Sequence, residues 1–381
     1  MYRDEFSLDP SLIYLNHAAV APWPVRTAEA VKDFANENSD LGAAHYPKWL
    51  EVEQALREKM AWLINTPSVE DISIQKSTSE ALSAIAFGLD WAPGQNVVCF
   101  RQEFPSNRVV WQSLERYGVE TRLVDLESDP EDPEAALFRS CDEKTRLIAV
   151  SSVQYGTGIR MDLARIGQFC RDRGILFCVD AIQSLGAFEF DLKAIGAHFV
   201  VADGHKWMLG PEGVALLYTD PELRPGMKLH QYGWHMLENP SYFEQIESEP
   251  ATSGKRFECG SPNLLGSHAL NSSLSLIREV GLATISKRIL ENSALMIERI
   301  ERDNRLELIS PRGESRRSGI VTFRVKGLES EPLYRELMKR RVICAPRGGG
   351  IRFSPHFYTE AEQLNRGFDI LNRIIDDQRR P

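Results

Sequence analysis

Val200-Val201-Ala202-Asp203-Gly204-His205-Lys206-Trp207-Met208-Leu209-Gly210-Pro211-Glu212-Gly213 decides how the rest of the chain is read. The apolar run His198–Ala202 predicts a buried strand that ends in a sharp polar turn. Lys206 stands at that turn, shielded by Trp207 and Met208, before Gly210-Pro211-Glu212-Gly213 breaks the chain. Val214–Tyr218 reads as a further strand. A lysine between apolar neighbours gives up its proton more readily, because desolvation disfavours the ammonium form. The neutral amine is a nucleophile for carbonyl carbon. A solvated loop lysine is the plain alternative, so the surroundings must decide.

Upstream, continuous apolar runs alternate with amphipathic segments. Ile72-Ser73-Ile74, Asn96–Phe100, Thr121–Val124, Arg146–Ser151 and Ile175–Val179 predict strands. Ala81–Leu89, Asn107–Tyr117, Pro133–Ser140 and Leu163–Arg173 predict helices, after two earlier ones at Val25–Asn38 and Lys48–Asn65. The pattern is that of an α/β fold, with a mostly parallel central sheet and helices on both faces. Downstream, Leu223–Pro250 reads as a long loop region and Leu264–Asp303 as helical with a break near Gly281. Ile320–Val325 alternates like a strand, and Pro332–Arg341 is helical. Val342–Cys344 with Ile351–Phe353 suggests a pair of short strands, and Thr359–Ile375 a closing helix. These shorter elements predict a smaller α+β C-terminal domain. The expected division is an N-terminal arm (1–25), a large domain (26–255) and the smaller domain (256–381).

Composition narrows the function. The 381 residues carry a formal charge of −9, which argues against a sequence-independent grip on nucleic acid or anionic membrane. No apolar run approaches the roughly 18 residues of a membrane span, and no basic-then-apolar signal opens the chain. The six cysteines are scattered without CxxC spacing, as expected of buried free thiols in a cytoplasmic protein. The eight histidines make no HExxH and no cluster of ligand spacing, so no structural metal is expected.

Ligands of open parallel sheets sit outside the carboxyl ends of the strands. Polar residues gather there. Ser77-Thr78-Ser79 follows a strand and opens a helix, offering hydroxyls and free N–H groups to a phosphate; an ordinary N-cap is the alternative. Asp180 ends a strand, where a carboxylate needs a cationic partner, and a protonated pyridine nitrogen would serve as well as a salt bridge. Phe104 follows another strand and is placed to stack on a flat ring or to pack in the core. Arg352 lies within a short apolar strand, suited to a substrate carboxylate or to a structural ion pair. A Schiff-base lysine, an acid for a pyridinium, a phosphate cup, a stacking ring and a carboxylate clamp together describe a site for pyridoxal phosphate.

The chain resembles the class V aminotransferase family of fold-type I pyridoxal-phosphate enzymes, from Tyr14-Leu15-Asn16-His17-Ala18-Ala19 to Arg352-Phe353-Ser354-Pro355-His356-Phe357-Tyr358. Val179-Asp180-Ala181-Ile182-Gln183-Ser184 and Gly204-His205-Lys206-Trp207 are the most specific pieces. The resemblance implies that Lys206 carries the internal aldimine, that Asp180 holds the pyridine nitrogen, and that Gln183 and Gln154 serve the ring hydroxyl. It implies Thr78 and Ser79 at the phosphate, Phe104 over the ring, His205 beside the cofactor and Arg352 on the substrate carboxylate. It also places Asn16 and His17, with Tyr155, Tyr232, Trp234 and His356, near the substrate. Phe257-Glu258-Cys259-Gly260-Ser261-Pro262-Asn263 resembles the segment that reaches the partner subunit's phosphate, which implies a homodimer with shared active sites and a cofactor role for Ser261.

Two departures stand out. The family often has a hydroxyl residue where this chain has Asp203; a carboxylate would repel the phosphate, so no phosphate role passes to it. Cysteine desulfurases of the family carry a nucleophilic cysteine on a mobile loop of the C-terminal domain, whereas Cys344 sits in a predicted strand and reads as a core thiol. Gln231-Tyr232-Gly233-Trp234 and Glu103-Phe104-Pro105-Ser106-Asn107 lean toward the kynureninase and isopenicillin N epimerase-like branch, whose members differ in reaction. The leading expectation is an aminotransferase-like enzyme acting on a small amino acid, with a keto acid as co-substrate and Lys206 as the α-proton base. A C–S or C–C lyase and an epimerase are its rivals within the same chemistry. A non-catalytic cofactor-binding scaffold is the alternative of another class. A nicotinamide oxidoreductase is disfavoured, since no GxGxxG follows the first predicted strand.

Overall fold

The computed structural model describes residues 2–244 and 246–379. Its strands are β1 (Ile13–Tyr14), β2 (Ile72–Gln75), β3 (Asn96–Phe100), β4 (Glu120–Val124), β5 (Thr145–Ser151), β6 (Leu176–Asp180), β7 (Phe199–Asp203), β8 (Ala215–Thr219), β9 (Leu306–Leu308), β10 (Val321–Val325), β11 (Val342–Ile343), β12 (Ala345–Arg347) and β13 (Gly350–Phe353). Its α-helices are α1 (Val25–Leu41), α2 (Tyr46–Ile64), α3 (Thr78–Gly88), α4 (Ser106–Gln112), α5 (Pro133–Arg139), α6 (Leu163–Arg173), α7 (Leu192–Ile195), α8 (Leu264–Val280), α9 (Leu282–Glu301), α10 (Ser330–Lys339) and α11 (Ala361–Arg379).

Seven strands form the main sheet in the order β2-β8-β7-β6-β5-β3-β4. Strands β3, β6, β7 and β8 are buried at every residue, which is why they read as unbroken apolar runs. From β7 to β4 the neighbours pair in parallel. Strand β8 runs antiparallel to both β7 and β2, because the Gly204–Val214 link holds no crossover helix to carry the chain back. The α/β architecture expected from the alternation is therefore present, with β8 as its reversal.

The second sheet, β12-β13-β10-β9, is antiparallel throughout. Here the expected pairing of Val342–Cys344 with Ile351–Phe353 is corrected. Gly348 (φ +60°) and Gly349 (φ +78°) form a two-residue turn, so β12 folds back on β13 and takes that place. Strand β11 instead pairs in parallel with β1, Ile13 opposite Val342, and Asn16 bridges to Ser354. Edge strand β9 and the single turn α7 escaped the sequence reading, both being too short to show a period.

Two cores share α9. The core beneath the large sheet takes Leu270, Leu274 and Ile277 from α8 and Ile285 and Ile289 from α9, while the second starts at Met296 on the same helix. Helix α8 packs on α1 and α2. We propose the domain boundary within α9 in place of residue 256, since a cut at 256 would part α8 from the helices it packs on. Among the described residues no helix is long and apolar enough to cross a membrane.

Candidate active site

The carboxyl ends of β3, β5, β6 and β7, the start of α3, the stretch Ala18–Val20 and the β12–β13 hairpin enclose a cavity of about 300 Å³. Lys206 is its centre. The turn carrying it is built by Gly204, whose carbonyl accepts from the Gly210 N–H at 2.9 Å, and Leu209 is forced to φ +60°. A left-handed leucine costs about 1 kcal/mol or more. The indole of Trp207 is buried behind the lysine, and its Nε1 donates to Gln183 Oε1 at 2.7 Å. Ala21 N–H donates to His205 O at 2.8 Å, which stitches the N-terminal segment to the same turn.

Burial drives the chemistry of the charged groups. It pushes the Lys206 amine down to about 8, with the charges of Asp180 and Asp203 opposing and that of Arg352 assisting. Burial raises Asp180 to about 6, against one hydrogen bond from the Ile182 N–H at 3.0 Å and the charge of Lys206. The Lys206 Nζ lies 5.5 Å from the centroid of the Phe104 ring. Phe104 is 42% exposed, so it forms part of the cavity wall and is not a core residue. Arg352 is buried, donating from Nη1 to Tyr155 O at 2.7 Å and from Nη2 toward Asn16 Oδ1 at 3.5 Å, while its Nε has no partner among the described residues. Burial, then the charge of Arg347, push it down to about 10.

Of the residues singled out from sequence, Thr78, Ser79, Phe104, Asp180, Gln183, His205, Lys206 and Arg352 line this one cavity. The others do not. His17 is wholly buried in an aromatic cluster, with Nδ1 against Ser354 O and Nε2 against Tyr358 OH, so both ring nitrogens are occupied by protein. Asn16 stands behind Arg352. Gln154 is buried and anchored through Nε2 to Glu103 at 2.7 Å. His356 is also buried, at the carbonyl of Trp207, and Tyr232 and Trp234 lie exposed outside the cavity. Ser261 lines a separate groove with Gly260, Asn263 and Lys76. Tyr155 does line the cavity, as the resemblance implied.

Three contributors were missed. Glu103, a buried acid among residues quoted only for Phe104, accepts from Ser151 N–H, Ser151 Oγ, Asn107 and Gln154, and burial raises it to about 7. Glu212 and Arg347, unlike Glu103, line the cavity itself. An arginine just before Gly348-Gly349-Gly350 was the available signal for the last.

The donor set suits pyridoxal phosphate. Thr78 Oγ1 is buried without a partner at the N-terminus of α3, where free N–H groups face an anion; Ser79 Oγ donates to Ser106 Oγ at 2.8 Å beside it. Asp180 is a buried carboxylate suited to a cationic ring nitrogen. Asp203 is the misfit for a phosphate; its Oδ1 lies 2.9 Å from His205 Nδ1.

The aminotransferase class-V family model matches residues 13–366. The chain belongs to the class V aminotransferase family. Its cofactor is pyridoxal 5'-phosphate. Among class V relatives, a probable cysteine desulfurase of Methanothermobacter thermautotrophicus is 29% identical, the match covering 95% of this chain and 94% of that one. The isopenicillin N epimerase of Streptomyces clavuligerus is 28% identical, with 98% of each chain covered. In fold, the chain is similar to the cystine C–S lyase C-DES in complex with its product cysteine persulfide, at TM-score 0.87, 22% identity, and coverage of 95% and 98%. Two relatives named for different reactions show that family membership leaves the reaction open.

Proposed function

We propose that this class V enzyme is a C–S lyase, eliminating the β-sulfur substituent of an amino acid. The observation that carries this reading is the placement of the thiols: among the described residues no cysteine lines the Lys206 cavity. Cys344 is 2% exposed in the link between β11 and β12, where burial pushes its thiol up to about 12. The chain's own cavity thus holds no sulfur acceptor, Cys259 lying in the Ser261 groove outside it, and we infer that the sulfur leaves with the product. The relatives named above as a desulfurase and a C–S lyase support carbon–sulfur cleavage over the transamination expected first.

Bound pyridoxal phosphate supplies an electron sink for charge developing at Cα. Arg352 binds the substrate carboxylate and so selects which Cα bond is broken. Lys206 Nζ, neutral in a large fraction of molecules near pH 8, takes the Cα proton and delivers it to the departing sulfur. Asp180 keeps the ring nitrogen protonated, and Phe104 and Trp207 limit water around the amine. The net reaction is amino acid thioether plus water to thiol, pyruvate and ammonium. We also propose a homodimer with shared active sites, supported by the exposed position of Ser261 on a groove outside the chain's own cavity.

The test is incubation with S-ethylcysteine while pyruvate, ammonium and released thiol are measured. Equal amounts of the three, lost by at least about a thousandfold in Lys206→Ala, are expected. A keto acid that retains its sulfur, formed with conversion of the cofactor to its amine form, would instead establish transamination.

A further inference from the structure

Arg347 is the second arginine on the Lys206 cavity, and the steps above leave it unused. It ends β12, next to the turn made by Gly348 and Gly349. That turn is seated: a Cβ on Gly348 would come within 2.4 Å of Gly156 O, so hairpin backbone lies directly on the backbone that follows Tyr155. Thr322 Oγ1, one strand inward, donates to the same Gly156 carbonyl at 2.7 Å. The base of the Arg347 side chain is therefore fixed at the exposed rim of the cavity while Arg352 sits at its buried end. Tyr155 links the two regions, its carbonyl holding Arg352 and its ring meeting Phe104 edge-on at 5.2 Å.

Arg347 donates from Nη1 to Pro346 O at 3.0 Å, and among the described residues no carboxylate lies within ion-pair distance of it. Three acids line the same cavity, but on other elements: Asp180 ends β6, Asp203 faces His205, and Glu212 belongs to the Gly210–Gly213 loop. Two guanidiniums that face one cavity repel each other, and a ligand with two anionic groups relieves both. We propose that Arg347 reads a carboxylate on the substrate's side chain, so that the substrates are amino acids with a distal acidic group. This deepens the C–S lyase reading and rests on it: the favoured substrates are cysteine thioethers whose leaving thiol carries a carboxylate. S-carboxymethylcysteine is the simplest. Its Cα–H and Cβ–S bonds break, the proton goes to sulfur, and with one water the products are mercaptoacetate, pyruvate and ammonium.

The experiment uses the holoenzyme and Arg347→Gln with S-carboxymethylcysteine and the neutral S-ethylcysteine, alongside calorimetric titration with glutarate and with butyrate. The wild type is expected to prefer the acidic thioether. In Arg347→Gln that preference falls at least tenfold, through KM, and glutarate binding weakens to match while butyrate binding shifts less than twofold. An unchanged preference in the variant, or a wild type that favours the neutral thioether, overturns the proposal with the lyase reading intact. If neither thioether is cleaved, the lyase reading fails and the titration decides. Glutarate binding that weakens in the variant upholds the role of Arg347, and glutarate binding that is absent or unchanged removes it.

Discussion

Arg57 and Arg352 are both buried arginines, and they could hardly be treated more differently by their surroundings. Arg57, on α2, grips Glu258 with two nitrogens at 2.6 and 3.1 Å, reaches Glu53 at 3.1 Å and donates to Ile72 O at 2.7 Å. Despite burial, Glu258 and Glu53 hold it above its ordinary value. Among the described residues Arg352 meets only a backbone carbonyl and a side-chain amide, and burial pushes it down. A charge whose partner is built into the chain is architecture. One left with neutral acceptors is a receptor for a charge that arrives from outside. Glu53, His235 and Glu258 lie close enough together to hold a metal ion, but the Arg57 guanidinium already supplies positive charge at that point.

Breaking each arginine should therefore damage a different property. Arg57→Gln strands Glu258 in the interior and is expected to lower unfolding free energy by about 3–5 kcal/mol in urea denaturation. A loss below about 1 kcal/mol would show that the pair contributes little. Arg352→Gln is expected to leave apo stability unchanged or higher while kcat/KM falls by about 2–3 kcal/mol, roughly thirty- to two-hundredfold. Loss of stability in place of activity would merge the two arginines into one class.

The acids of the site sharpen the same contrast through pH. Asp180 is raised from 3.8 to about 6 and Glu103 from 4.5 to about 7, so the folded apo protein binds these protons more tightly than the unfolded chain. The associated stability is present in full below pH 4 and is lost as pH rises through 6 and 7. Asp180→Asn should flatten the part between pH 4 and 6, by roughly 2 kcal/mol, in apo melting curves. A slope identical to wild type would mean that Asp180 is already paired within the chain.

The sequence revealed whatever repeats along it. The apolar strands β3, β5, β6 and β7 appear close to where they were expected, because burial on both faces leaves an unbroken signature. Lys206, Asp180, Thr78 and Phe104 could be found because each follows a strand or opens a helix at one sheet edge. The orientation of β8 and the β1–β11 pairing were hidden, since they depend on which strand is free to be joined and not on periodicity. The side chains of His17 and Gln154 lie off the cavity lining for a related reason. Their neighbours in sequence do line the site, but Tyr358 and Glu103, distant in sequence, draw these two side chains away. Glu103 itself was obscured by Phe104 beside it: in the turn after β3 the first side chain is buried and the next is exposed.

The β1–β11 pair has a consequence for the order of events in a growing polypeptide. Ile13 and Tyr14 emerge early in synthesis, yet their strand partner begins only at Val342. The stretch just after them supplies Ala18 O, which accepts from Gln183 Nε2 at 3.0 Å at the cavity wall. This stretch thus finds its place only after β11 has been made, and the pocket is completed only when the late hairpin exists. A ribosome-bound chain short of β11 has an unpaired edge to protect and an unfinished pocket.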